Sequence, residues 1–312
     1  MMRIIQSLLF FLTGISAVAQ QDPLYSQYIN NPMVLNPAYT GLNDNFNASV
    51  TYRNQWAGFD GHPKTFNFNS HVSLIDNKVG VGLLFINDQI GSTINTEMQA
   101  AFSYKLALDE KKTFSFGMQT GFINFRNNYN NLNLDDKTDE AFIQGENITK
   151  PNLGVGVILK SDRFMLGASI PRLLSTSISV SNGTNAQDFQ LYNRHLYLFG
   201  SYVYFLNENI RFKPAILLRA VKGSPLSVDF NFNVNFNEKY TAGAFIRNFN
   251  AYGVQVQTKL GDKLKLGSTF ELPIGNSVTS GDKFRDKFFT TELFLGITLP
   301  TFDFHDRSIS TF

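Results

Sequence analysis

The stretch Leu226-Ser-Val-Asp-Phe-Asn-Phe-Asn-Val-Asn-Phe236 alternates without a break. Leu226, Val228, Phe230, Phe232, Val234 and Phe236 share one face, and Ser227, Asp229, Asn231, Asn233 and Asn235 share the other. Because successive strand side chains point to opposite sides, a strand with this pattern separates an apolar phase from a wet one.

Working outward from it, similar runs occur at about 47–56, 64–74, 77–87, 93–107, 112–125, 151–160, 163–171, 192–206, 209–220, 225–236, 239–248, 251–260, 263–273 and 286–299, fourteen in all. Most reach ten residues, whereas strands of soluble domains are usually about five or six. Strands of about ten residues tilted by roughly 45° match the thickness of a bilayer. The links alternate in length. Tight polar links follow the even-numbered runs: Ile75-Asp76, Leu108-Asp109-Glu110-Lys111, Ser161-Asp162, Asn207-Glu208, Asn237-Glu238 and Gly261-Asp262. Odd-numbered runs are followed mostly by longer ones, at 57–63, 88–92, about 126–150, about 172–191 and 274–285, with 221–224 and 249–250 as short exceptions. A soluble β-sandwich has no reason to sort its links this way. An up-and-down outer-membrane barrel does, with short periplasmic turns, longer outside loops and an even strand count that leaves both termini periplasmic. The expected fold is therefore an all-β, antiparallel transmembrane barrel of about fourteen strands over residues 46–300. In its first strand Val50, Tyr52 and Trp56 are expected to face lipid, with Trp56 at the aromatic girdle, while Ser49, Thr51, Arg53 and Gln55 face the lumen.

Composition agrees with that class. The chain has 31 Phe, 12 Tyr, 23 Gly and a single Trp, and no window after the N-terminus holds 18 successive apolar residues. Residues 1–19 carry Arg3, an apolar run and the small-x-small site Ala17-Val18-Ala19, which reads as a cleaved signal peptide with Gln20 as the mature start. A transmembrane anchor is the alternative, but the run is short and interrupted. Removing Arg3 leaves 26 Lys and Arg against 25 Asp and Glu, a net charge of about +1 that implies no nucleic-acid partner. With no cysteine, neither disulfides nor thiolate sites are available.

No catalytic or cofactor constellation emerges. His62, His71, His195 and His305 are scattered, so no metal site is expected. The Gly-x-Gly pairs at 80–82 and 154–156 lie inside strands without a following helix, so they read as relief of curvature or room for an aromatic neighbour rather than phosphate cradles. Asp135, Asp136, Asp139 and Glu140 could gather Ca²⁺, but they lack the spacing of an EF-hand loop and read better as a solvated loop.

Residues 20–45 fit neither helix nor strand. Pro23, Pro32 and Pro37 each remove a backbone donor, and Asn31-Pro32 and Asn36-Pro37 are turn-initiating pairs. Yet Tyr25, Tyr28, Ile29, Met33, Val34, Leu35 and Tyr39 need something to pack on. This segment and its sequel carry a resemblance. Gln21-Asp-Pro-Leu-Tyr-Ser-Gln-Tyr28, Asn31-Pro-Met33, Asn36-Pro-Ala-Tyr-Thr-Gly41, Tyr52-Arg-Asn-Gln-Trp56 and Pro63-Lys-Thr65 together resemble the PorP/SprF family of the Bacteroidota type IX secretion system.

The resemblance implies a non-enzymatic outer-membrane component of a secretion and gliding apparatus, without cofactor. Its partners would be periplasmic secretion-ring subunits, or a large adhesin-type cargo with a C-terminal sorting domain. One departure from the usual pattern is a polar tail at residues 301–312 after the last strand. The residues expected to plug the periplasmic mouth or bind a partner there are Pro23, Tyr25, Ser26, Gln27, Asn31, Pro32, Asn36, Pro37, Tyr39 and Gly41. Capping the barrel and docking a partner remain equal alternatives for this segment, and a passive porin or nutrient channel is the alternative for the whole chain.

Overall fold

A computed structural model describes residues 25–75, 77–127, 147–174, 176–182, 185–274 and 288–300. The strands are β1 Asn45–Asn54, β2 Lys64–Leu74, β3 Val79–Ile90, β4 Thr93–Ala107, β5 Lys112–Asn127, β6 Asn147–Ser161, β7 Phe164–Ile170, β8 Thr176–Asn182, β9 Asn185–Tyr192, β10 His195–Tyr202, β11 Tyr204–Phe205, β12 Ile210–Val221, β13 Ser227–Phe236, β14 Tyr240–Arg247, β15 Ala251–Leu260, β16 Leu264–Pro273 and β17 Thr290–Pro300. Sequential neighbours pair antiparallel. β10 bridges β7 and β12, and β1 pairs with β17 over Asn45↔Pro300 to Asn54↔Thr291, so the wall closes on itself. Counting β10 with its short continuation β11 as one, the barrel has fourteen strands. Closure leaves no sheet edge to satisfy, which is the condition for strands to cross a membrane.

The wall is apolar outside and polar inside. On β13, Phe230, Phe232 and Phe236 are 43%, 51% and 40% exposed, while Asp229, Asn231 and Asn233 are 6%, 4% and 3% exposed. On β4, Met98, Phe102 and Leu106 point out, and Glu97, Gln99, Ser103 and Lys105 are buried within. A water-soluble β protein buries the opposite face.

The links of one end, including 108–111 and 237–239, are short, and β1 begins and β17 finishes there; this is called the turn end below. The opposite end, where β1 leads into 55–63 and β16 into 274–289, is the loop end.

Besides shifts of a few residues at strand ends, four features differ from the sequence reading. β1 stops at Asn54, because Trp56 adopts a left-handed backbone (φ 55°) that breaks the ladder, so Trp56 and Gln55 lie beyond the strand. β3 runs on to Ile90, leaving a two-residue turn in which Gly91 supplies φ 57°. The run 192–206 is interrupted at Val203, whose N–H bonds to Arg163 O instead of the β12 ladder. The link 172–191 contains a hairpin of its own, β8–β9, separate from the barrel sheet. The hairpin pairs from Thr176↔Tyr192 to Asn182↔Asn185. Residues 1–24, the acidic loop at 135–140 and the tail at 301–312 lie outside the described residues.

Candidate functional site

Residues 25–44 fold as three successive single 3-10 turns, Gln27–Ile29, Pro32–Val34 and Pro37–Tyr39. Proline opens the second and third, where its missing N–H has no helical partner to lose. Asn36 caps the third, its Oδ1 accepting from the Ala38 N–H at 2.9 Å. Prolines that forbid a strand thus produce a compact, kinked rod. Ser26, Gln27, Tyr28, Met33, Ala38 and Thr40 are each no more than 2% exposed, because the inward faces of the strands surround them.

At the loop end the rod meets charge. Arg53 (β1), Arg247 (β14), Asp229 (β13), Glu271 (β16) and Glu292 (β17) form one network. Arg53 donates to Glu292 at 3.1 Å and Glu271 at 3.3 Å, and Arg247 donates to Asp229 at 3.0 Å and Glu271 at 3.0 Å. Ser26 sits at its centre. Its N–H donates to Glu292 at 2.7 Å, its hydroxyl to Glu271 at 3.0 Å, and Arg53 donates to that hydroxyl at 2.7 Å. The Gln27 N–H also donates to Glu292 (3.1 Å), and Arg247 donates to the Tyr25 carbonyl (3.2 Å). Three carboxylates against two guanidinium groups leave one negative charge in excess, and the backbone and hydroxyl donors of the rod help to offset it.

Farther along, Asn31 exchanges amide hydrogen bonds with Asn67 (3.1 Å) and Asn69 (2.8 Å) on β2. Met33 and Val34 pack on Leu84, Ile86 and Ala101, while Tyr28, Ile29 and Leu35 pack on Tyr197, Ala215 and Leu217. Asn36 Nδ2 donates to the wall carbonyls of Val157 (3.0 Å) and Ala168 (3.2 Å). Serines of three strands donate to rod carbonyls: Ser169 to Leu35 (2.6 Å), Ser115 to Ala38 (2.7 Å) and Ser103 to Thr40 (2.5 Å). At the turn end the Gly41 N–H donates to His71 Nδ1 (3.1 Å), Lys105 donates to the Gly41 carbonyl (2.5 Å), and Tyr39 lies edge-on to His71. Burial raises the Tyr39 phenol above its ordinary pKa, and the hydrogen bond from Asn43 partly offsets this.

Glycine sets how closely the rod approaches the wall. A Cβ on Gly80 would lie 2.1 Å from Thr40 O, one on Gly117 2.4 Å from Ala38 N, and one on Gly156 2.1 Å from Asn36 Oδ1. The glycines at 80 and 156 therefore make room for the N-terminal segment, rather than for barrel curvature or an aromatic ring.

The expected site residues fall as follows. Ser26, Gln27, Asn31, Pro32, Asn36, Pro37 and Gly41 are buried in the rod, and Tyr25 and Tyr39 are its half-buried members. Pro23 is outside the described residues. Arg53 joins the charged network; Gln55 is half-buried past the end of β1, its N–H on Pro63 O; Trp56 is 43% exposed in the following loop. The rod does not rest across the mouth where β1 begins. Arg53 is the ninth residue of β1, so at about 3.3 Å per residue and a tilt near 40° Ser26 lies roughly 20 Å of barrel height from that mouth. Wall residues to which the sequence reading gave no part in the site, Glu271, Glu292, Arg247, His71, Lys105 and the three serines, hold the rod in place. Their only sequence signal is a polar residue at an inward position. Among the described residues no cluster of three or more His, Cys, Asp or Glu could hold a metal ion.

A closed fourteen-stranded antiparallel barrel with an apolar exterior and a polar interior is an outer-membrane β-barrel. Solved structures agree on the fold. The chain superposes on a Pseudomonas aeruginosa FadL homologue with TM-score 0.53 at 9% identity, covering 90% of this chain and 95% of that one. It superposes on the TodX deltaS2S3 mutant monoaromatic hydrocarbon channel with TM-score 0.50 at 9% identity, covering 87% and 94%. A sequence comparison with curated proteins finds no match. Residues 17–285 match the family described as type IX secretion system membrane protein PorP/SprF, and the chain belongs to that family. It is an outer-membrane component of type IX secretion.

Proposed function

We propose that this barrel works in type IX secretion as a closed scaffold that binds secretion-ring subunits or an adhesin-type cargo with a C-terminal sorting domain, and not as a conduit or an enzyme. The observation that carries this reading is the rod of residues 25–44, hydrogen-bonded to opposite walls from the charged network near the loop end to Lys105 at the turn end. Residues 1–19 act as a cleaved signal peptide. Short turns are periplasmic in such barrels, so the turn end, where β1 begins and β17 finishes, faces the periplasm, whereas the rod starts at the opposite end of the lumen beside Arg53 and Glu292, which counts against the expected periplasmic N-terminus. The rod then stops the lumen as a plug and leaves the periplasmic mouth as the surface a partner meets, with Asn36, Tyr39 and Gly41 nearest to it.

Single-channel recording of the purified protein tests the closed state. The intact chain is expected to show no steady conductance, and a variant lacking residues 25–40 to show a large one. Steady conductance from the intact chain would favour the channel reading. Secretion of sorting-domain cargo by cells lacking the chain tests the scaffold role, and unchanged secretion would refute it.

A further inference from the structure

Beneath the first turn of the rod, at the turn end, a cavity of about 260 Å³ is lined by Ile29 and Asn30 above and by strands β12 to β16 around it. Its charge is one-sided. Arg211 and Lys213 on β12, Lys259 on β15 and Lys265 on β16 all line it, against one carboxylate, Glu238, which is already ion-paired with Arg211. Among the described residues Lys213, Lys259 and Lys265 make no ion pair. All three are half-buried. The loop-end network near Ser26 is the contrast, since there each guanidinium meets carboxylates at 3.0–3.3 Å.

Like charges gathered in a concave, partly desolvated site repel one another, and the low-dielectric walls focus their field outward. The missing component is anionic. We infer that this cavity docks an acidic stretch of a partner polypeptide, a statement that rests on the partner-binding reading above and gives that partner its chemistry. The geometry favours a polypeptide over a small anion. The cations lie on β12, β15 and β16, at the two sides of a five-strand arc of roughly 19 Å at about 4.8 Å per strand, which spans several carboxylates rather than one phosphate. The cavity faces the lumen, away from the lipid that surrounds the wall. Ile29 and Asn30 roof it, so an anion that enters is held and not passed on. The inward amides beside the cations, Asn233 and Gln255, are bonded to each other and hold the wall in register.

The test uses the full-length barrel in detergent micelles and a fluorescein-labelled hexa-aspartate peptide followed by anisotropy. The wild-type protein is expected to bind it, more weakly as salt rises from 50 to 300 mM. The double variant Lys213→Gln/Lys265→Gln is expected to bind about tenfold more weakly or worse, while Lys78→Gln, an exposed turn lysine outside the cavity, binds as wild type. Unchanged heat-modified electrophoretic mobility shows that the double variant still folds. Equal binding by the double variant overturns the inference, as does displacement of the peptide by inorganic phosphate at the concentration of competing unlabelled peptide, which would mark a small-anion site. In cells the two readings separate. If deleting the chain stops cargo secretion and the double variant restores it fully, only the cavity assignment falls; if deletion leaves secretion intact, the partner-binding reading itself falls.

Discussion

Gly117→Ala should dislodge the N-terminal rod while leaving the barrel standing. Gly117 faces inward on β5, where residues 37 and 38 pass, and an added Cβ would lie 2.4 Å from Ala38 N and 2.5 Å from the Pro37 carbonyl carbon and oxygen. Favourable contacts between heavy atoms lie at about 3.5–4.0 Å, so the overlap exceeds an ångström and is with backbone that cannot rotate aside. The wall is held on both sides of this position, by Gly117↔Ser103 to β4 and Gly117↔Gly156 to β6, so the rod is the part that yields. Overpacking of this kind costs about 1–3 kcal/mol, which lowers the ratio of seated to displaced rod about 5-fold to about 150-fold. The absence of cysteine from the chain supplies a clean reporter. Thr40 is fully buried and its hydroxyl has no hydrogen-bond partner, so Thr40→Cys loses no bond and places one protected thiol in the rod. Maleimide labelling of that thiol in the folded protein should accelerate by the same 5-fold to 150-fold when Gly117→Ala is added. Gly200→Ala is the control, since its Cβ would meet only Leu166 and Ile216 side chains at 3.4 and 3.5 Å. Labelling by Gly117→Ala at the Gly200→Ala rate would refute the close approach of rod and wall, and loss of the folded barrel in Gly117→Ala would refute the claim that the rod is the part that yields.

Arg53→Met leaves Glu271 with Arg247 alone and, among the described residues, leaves buried Glu292 without an ion-pair partner, and should lower stability to urea in detergent by about 3 kcal/mol or more. Adding Glu292→Gln should recover part of that loss, by a coupling of about 0.5–3 kcal/mol. Asn36→Ala removes two donations to wall carbonyls and the cap on Ala38, so it should loosen the rod by about 1–2 kcal/mol, read as faster Thr40→Cys labelling with an unchanged urea midpoint. Phe232→Lys places a charge on the outward face midway along β13 and should cost about 2–4 kcal/mol in unfolding from lipid vesicles, whereas Phe232→Leu should stay within about 1.5 kcal/mol.

The barrel was legible because its two signals are local. Alternation such as that of 226–236 is a property of neighbouring residues, and links such as Asn237-Glu238 are read where they stand. The rod was legible only as a contradiction, a proline-broken stretch with tyrosines to bury. Its partners are set by closure of the wall, which brings together residues far apart in sequence: Arg53 bonds Glu292 across 239 positions. Nothing local distinguishes Ser103, Ser115 or Ser169 from any other inward polar residue, and Gly80 and Gly156 look like ordinary barrel glycines until the rod is laid against them. Trp56 shows the limit on the other side. Its parity assigns it to the lipid face, but a left-handed backbone at a non-glycine residue carries it off the strand, and no periodicity reports that.

The place where the barrel closes is also where the rod is fixed. β1 and β17 are the first and last wall strands, and Arg53↔Glu292 is a register pair across their seam. Glu292 accepts from Arg53 and from the N–H groups of Ser26 and Gln27, 266 and 265 residues before it. The carboxylate that receives the start of the rod is therefore supplied by the last strand to be made. Until β17 is in place the interior lacks that wall, and afterwards a rod with three kinked turns would have to thread a closed barrel to reach it. Enclosure during closure avoids the threading, and the seam pair and the rod then stabilise each other. Withdrawing the rod from a finished barrel would expose Glu292, Glu271 and Arg53 together, without Ser26 between them. Such a cost ties the rod to its seat and leaves the turn end as the open face, where among the described residues Lys213, Lys259 and Lys265 make no ion pair.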